Sequence, residues 1–434
     1  GPARLLKSQT VTAGHAYRLG LLGAHNIPSA GVAAVALTVT AAKPTQDTSV
    51  TVYPRGTQQP VAADVAVPKG ATRSNLVIAR VGSLGSVLIA NAHGSASVTV
   101  DVSGYFSGSG LASSSGQGGA LQEYVQGGTI LDTKGWGWGP LPSQYYADAP
   151  VNFDAADTPH VTSLLVQVTA YGSTAGGTIT GYATNGRVPG TSVLAYSAGI
   201  TSTSTAIISA GRWTDPSSFE QYPSVSFLNR GPKPVQLKVS IIGFFDDNTF
   251  LVGQRYHPTN PTRLFADTMY AGGTRTIRPG SYGHTWTTAI NVKVRASAPS
   301  KTTSLSMWPR WPGVSNAAQP QLRALAGKTA IASTPEATGT SNVFYVHNAY
   351  GHTGVAIWAF GTFDGWPLPS WQYYVGEYAG QTSAALPSAI EHGLDDPASA
   401  PGGSPVVVHD LARVGPGGVA EHPGYRYQLG PQRR

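Results

Sequence analysis

A chain that repeats itself folds as a series of like units, and this one repeats at steps of 129 and 126 residues. Val39-Thr40-Ala41, Val168-Thr169-Ala170 and Val294-Arg295-Ala296 each close a run of alternating apolar residues. Tyr53-Pro54, Tyr182-Ala183 and Trp308-Pro309 recur at the same steps, each ending a second such run. Two coincidences at one offset mark tandem copies. Each copy also closes alike: Leu88-Ile89-Ala90-Asn91, Ser226-Phe227-Leu228-Asn229 and Tyr345-Val346-His347-Asn348 precede a Gly-bearing turn. The last strands end in Gly104-Tyr105-Phe106, Gly243-Phe244-Phe245 and Gly361-Thr362-Phe363. About ten extra residues around Arg212 to Gln221 read as a loop insertion in the second copy.

Within each copy, short runs of period-two alternation are separated by Gly, Pro, Asn and Asp. That pattern belongs to antiparallel sandwiches and barrels. Val98, Val100 and Val102 share one face of a strand, with Thr99, Asp101 and Ser103 on the other, which predicts a half-buried strand with a solvated polar face. The fold expected is all-β, with three tandem antiparallel β-sandwich-like domains and an extended C-terminal segment. The boundaries fall at 1–107 for the first copy, 108–120 for a Gly/Ser linker, 121–247 for the second copy and 248–366 for the third, leaving a Pro/Gly-rich segment over 367–434. There is no cysteine, so no disulfide or thiolate chemistry is available, and no apolar run is long enough to cross a membrane as a helix.

The first copy resembles a repeat common in secreted actinobacterial surface proteins. The resemblance is carried by Arg4-Leu5-Leu6, Val35-Ala36-Leu37-Thr38-Val39-Thr40-Ala41, Thr51-Val52-Tyr53-Pro54, Asn75-Leu76-Val77 and Asp101-Val102-Ser103-Gly104-Tyr105-Phe106. The second and third copies keep only parts of it, such as Ile130-Leu131-Asp132-Thr133 and Arg263-Leu264-Phe265-Ala266-Asp267-Thr268. Such repeats accompany other modules at the cell surface, so the resemblance implies export and no catalytic role.

Signatures of hydrolases, zinc peptidases and nucleotide-binding loops are missing. The acidic doublets Asp246-Asp247 and Asp395-Asp396 read as solvated turns, and His347 and His352 flank a turn without acidic company. No catalytic residue, cofactor or metal site is therefore expected. The aromatic residues carry more signal. Trp136 and Trp138 sit in a Gly-rich loop, and Trp308, Trp311, Trp366 and Trp371 cluster around the third copy and its exit. Indoles on loops suit a ligand or partner surface, and they equally suit caps on a sandwich core or packing between domains.

Charge alternates along the chain. Residues 1–120 hold eight Lys and Arg against three Asp and Glu, 121–250 hold six against nine, 251–366 ten against three, and the remainder four against six. Complementary modules of neighbouring chains could meet in this way, and the basic excess also suits anionic cell-wall polysaccharide. Dispersed basic residues without a reader motif argue against nucleic acid. The function expected is that of a non-enzymatic extracellular structural or adhesive protein, acting by self-association or contact with other surface or particle proteins. Two alternatives stay open: a lectin-like carbohydrate-binding module, and a component of an actinophage virion or secreted particle.

Overall fold

The computed structural model describes residues 1–108, 121–153, 158–216, 218–247, 253–282, 287–310, 320–338, 342–366 and 428–429. Three sandwich units follow one another. The first comprises β1 (Ala3–Thr12), β2 (Ala16–Gly20), β3 (Val32–Ala42), β4 (Thr48–Pro54), β5 (Val65–Val67), β6 (Thr72–Arg80), β7 (Ser86–Asn91) and β8 (Ser95–Ser107). The second holds β9 (Leu121–Asp132), β10 (Tyr145–Pro150), β11 (Ser163–Tyr171), β12 (Gly177–Ala183), β13 (Leu194–Tyr196), β14 (Ser202–Ser209), β15 (Gly211–Thr214), β16 (Gln221–Asn229) and β17 (Gln236–Phe245). The third holds β18 (Gly253–Tyr270), β19 (Gly273–Ile277), β20 (Thr287–Ser297), β21 (Thr303–Pro309), β22 (Leu322–Ala324), β23 (Ala330–Ala337), β24 (Phe344–Asn348) and β25 (His352–Trp366). A two-residue strand, β26 (Gln428–Leu429), pairs with β10 at Tyr145 and Tyr146.

Unit 1 pairs its strands in the orders β1-β8-β3-β6 and β2-β7-β4-β5. Units 2 and 3 repeat both orders, as β9-β17-β11-β14 with β10-β16-β12-β13 and as β18-β25-β20-β23 with β19-β24-β21-β22. Eight strands in two four-stranded sheets, crossing between them in this order, form a jelly roll. The insertion in the second copy supplies β15, which pairs with β16 beyond the end of β12. A single pairing, Gln254 with Leu121, joins β18 to β9 and fuses the first sheets of units 2 and 3 into one of eight strands.

Register makes the repeats equivalent in space. Val39, Val168 and Val294 pair across to Val100, Val239 and Ile357, and all three valines are fully buried. Tyr53, Tyr182 and Trp308 occupy matching positions on β4, β12 and β21. The closing asparagines match too, and all three are buried latches for the turn that follows. Asn91 Nδ2 donates to the carbonyls of His93 and Gly94, and Asn348 Nδ2 to those of Met269 and Gly351. Their Oδ1 atoms accept from Thr48 and Thr303, each at 2.7 Å.

Unit 2 has Gly177 where the other units have that threonine. There the hydroxyl of Tyr196, on the adjacent strand β13, donates to Asn229 Oδ1 at 2.9 Å. A Cβ at position 177 would lie 2.5 Å from this hydroxyl. The glycine and the tyrosine therefore replace, as a unit, the cross-strand pairs Thr48 with Val67 and Thr303 with Ala324, and burial pushes the Tyr196 hydroxyl up to about 12, so it stays a donor.

Each unit buries its own core between its two sheets. A further apolar cluster lies outside all three sandwiches, built from Ala34, Ala36, Leu76 and Ile78 of unit 1, Leu121 and Leu165 of unit 2, and Tyr256, Ala289 and Phe363 of unit 3. The outer faces of the three first sheets therefore meet one another. Strands β6, β14 and β23 contact each other pairwise, while β13 of unit 2 rests on β6, β5 of unit 1 on β23, and β22 of unit 3 on β14. That is a closed ring about a pseudo-threefold axis. The closing aromatic residues of the repeats converge in it: Phe106 lies 6.1 Å from Phe245 and 6.0 Å from Phe363, with Tyr256 4.8 Å from Phe106 and 4.9 Å from Phe363.

The ring corrects one sequence expectation. Asp101, read as part of a solvated face, is buried, because unit 2 covers that face of β8. Its carboxylate receives Arg4 Nε at 2.7 Å and Nη2 at 3.0 Å, together with the backbone N–H of Ser192 from unit 2 at 3.0 Å.

One buried carboxyl lies inside a sandwich. Glu336 pairs across β23 and β20 with Ile290, a member of the third core, and burial raises its pKa well above the ordinary carboxyl value. A carboxyl whose pKa rises on folding favours the fold below its unfolded value of about 4.3 and loses that contribution as pH climbs through the folded value. Glu336→Gln is thus expected to melt above the parent at mildly alkaline pH, with the gap narrowing as pH falls toward the unfolded value. Thermal melts across that range check it. A gap that did not change with pH would place the side chain in water.

Candidate functional surfaces

The first sheets are consumed by the ring, so the surfaces left for partners are the outward faces of the second sheets and the connecting loops. Trp136 and Trp138 are half-buried, stand edge-to-face at 5.3 Å and pack against the core of unit 2. Their turn is held by Asp132, whose Oδ1 accepts from the N–H of Gly135 and whose carbonyl accepts from that of Trp136. The pair closes one end of the sandwich. Trp308 is 8% exposed and lies on the outward face of β21, 5.9 Å from the ring of Tyr345 and 6.2 Å from that of His347. Trp366 ends β25, while Trp311 and Trp371 lie outside the described residues. The structure thus brings Trp136 and Trp138 together, and Trp308 belongs to a different unit.

Sequence reasoning missed a polar and aromatic cluster on the outward face of unit 2. Tyr146 and Tyr182 meet edge-to-face at 6.2 Å, and Ser226 donates to the carboxyl of Asp148 between them. Thr184 donates to Ser224 at 2.7 Å and lies 2.9 Å from the hydroxyl of Ser226. Burial raises the pKa of both Asp148 and Tyr182, and the neighbouring carboxylate pushes the phenol further the same way. The signal was the strand Tyr145-Tyr146-Ala147-Asp148, whose alternation sends Tyr146 and Asp148 to one side. What could not be read was that Tyr182, from a strand two places along the sheet, would join them.

Comparison with known proteins adds little to this geometry. No protein family matches the chain, and none of the curated proteins does. Among solved structures, one described as the triple jelly roll fold and turret assembly in an archaeal virus is similar. It is 10% identical, spans 82% of this chain and 85% of its own, and gives a TM-score of 0.17.

The buried charges hold units together. Lys293 of β20 forms an ion pair with Asp64 of unit 1, both nearly inaccessible, and its ammonium sits 3.5 Å from the centre of the Phe360 ring. Burial raises the Asp64 pKa and lowers that of Lys293, each shift opposed by the partner's charge. Asp64 Oδ2 also accepts from the N–H of Val52 at 2.7 Å, and its carbonyl accepts from Asn75 Nδ2, whose Oδ1 takes the N–H of Ser333 in unit 3. Between units 1 and 2, Ala195 N–H donates to Ser74 Oγ at 2.7 Å. A second ion pair, Lys328 with Asp47 at 2.6 Å, again links units 3 and 1. Both of these pairs join the two basic units, so packing inside the chain follows local partners and not the net charge of each unit.

Proposed function

We propose that this protein is a non-enzymatic extracellular structural module that works as a single-chain trimeric block, and that its setting is a virus particle of an actinobacterium or a comparable secreted particle. The observation that carries this reading is the closed ring, in which one face of every unit is buried against its neighbours. Such a block presents three outward sheet faces related by near-threefold symmetry, and it fits a position where assembly symmetry offers three like contacts. The buried acids and bases support the same reading, since Asp64, Lys293 and Asp101 serve interfaces between units.

The test is to purify the full chain, measure native mass, image it by electron microscopy, and ask whether it co-sediments with particles from the producing culture. Ordered oligomers or particle-bound protein are expected. A strict monomer absent from any particle would overturn the reading.

The part-exposed Tyr146 and Asp148 on the outward face of unit 2 favour a second reading, carbohydrate binding, because they pair an aromatic ring with a hydrogen-bonding group. Binding to isolated cell wall that resists salt, yields to free sugar and is lost in Tyr146→Ala would favour it. Wall binding that weakens as salt rises would instead indicate contact through charge.

A further inference from the structure

A cavity of about 40 Å³ lies where the first residues of β6, β14 and β23 come together, and it draws its lining from all three units. Its polar lining is cationic and hydroxylic. Unit 1 contributes Arg73, unit 2 contributes Ser202 between Thr201 and Thr203, and unit 3 contributes Arg323 together with Lys328, whose ammonium is already paired with Asp47. Arg73 and Ser202 are equivalent positions of the repeat, since the residues two further on, Asn75 and Ser204, pair with Val39 and Val168.

One of these groups lacks the partner that burial demands, and a second has only neutral ones. Ser202 is 4% exposed and its hydroxyl has no hydrogen-bond partner, which is costly for a buried polar atom. The guanidinium of Arg73 donates from Nη1 to neutral oxygens, the Thr72 carbonyl and Ser197 Oγ, and burial lowers its pKa. A partly buried cation beside neutral acceptors gains from an anion. The space exceeds that of one water molecule and suits a compact oxyanion.

We infer that the junction of the three units is a binding site for a small inorganic oxyanion of the phosphate class, held by Arg73, Arg323 and Ser202. An occupant there touches every unit at once, so its binding is linked to closure of the ring. Any ligand that binds only the closed form raises stability with concentration.

Inorganic phosphate is the probe. Titration of the full chain, followed by calorimetry and by phosphorus NMR line width, is expected to show saturable binding at one site, and thermal melting should rise along the same saturation curve at constant ionic strength. Phosphate also stabilises folded proteins by exclusion from their surfaces, an effect that does not saturate. Arg73→Gln should weaken phosphate binding at least tenfold while leaving that non-saturating rise intact. Ser202→Ala, a smaller change that does not remove a charge, should weaken it less and serves if the arginine variant fails to fold. No saturable binding to the parent, or binding untouched in both variants, would overturn the inference and leave a water-filled junction.

Discussion

Val168→Asp is expected to unfold the whole chain and not unit 2 alone, with a loss of several kcal/mol or more from the unpaired carboxylate. Val168 is fully buried at the middle of β11, between Ser204 of β14 and Val239 of β17. Read from sequence, such a change is confined to its own copy. The ring removes that confinement. If unit 2 opens, Ala34, Ala36, Leu76 and Ile78 of unit 1 and Tyr256 and Phe363 of unit 3 lose the cover of Leu121 and Leu165, and Asp101 and Ser74 lose the N–H donors of Ser192 and Ala195. Calorimetry of the parent should therefore give one dominant transition, and the variant should lose it entirely. Two residual transitions at the parent's temperature would mean that the units stand independently.

Much of the fold was legible because the repeat supplied it three times over. The valines at positions 39, 168 and 294 read as buried from alternation alone, and the three asparagines read as turn markers before their hydrogen bonds were known. The Thr48 and Thr303 latches were less legible, since unit 2 reaches the same end with Gly177 and Tyr196, and no alignment of identities links a threonine on one strand to a tyrosine on the next.

The ring itself was hidden for a physical reason. Period-two alternation says that one face of β8 is polar, and it cannot say whether water or another unit satisfies that face. Asp101 with Arg4 and the N–H of Ser192 shows the second case. Two signals were nonetheless present. Charged residues make up only 11% of the chain, too few to clothe three separate sandwiches on both faces. A phenylalanine also falls two residues after the closing glycine in every copy, and those residues, Phe106, Phe245 and Phe363, are the ones that gather where the units meet. For the tryptophans, size and loop position do not distinguish a lid on a core from a ligand platform.

Lys293→Met is expected to destabilise the chain by about 3–5 kcal/mol, because it leaves Asp64 buried without its counter-charge. Methionine keeps a stem of similar length and removes the ammonium together with its contact to the Phe360 ring. Adding Asp64→Asn should recover most of the loss. The asparagine carbonyl can still accept from Val52 N–H, and it removes the stranded charge. A double-mutant cycle by denaturant unfolding measures the coupling. The sign of the pH dependence separates charge from packing. With Lys293 gone, only the Val52 N–H opposes the burial that raises the Asp64 pKa, so the carboxyl takes up a proton at a higher pH in the fold than in the unfolded chain. The penalty in Lys293→Met should then be greatest at neutral and alkaline pH and shrink as pH falls through the folded value of Asp64. The double variant should show no such slope. Equal and pH-independent losses in the single and double variants would mean that the lysine acts through its contact with Phe360, and that the ion pair between units 1 and 3 adds nothing to the closure of the ring.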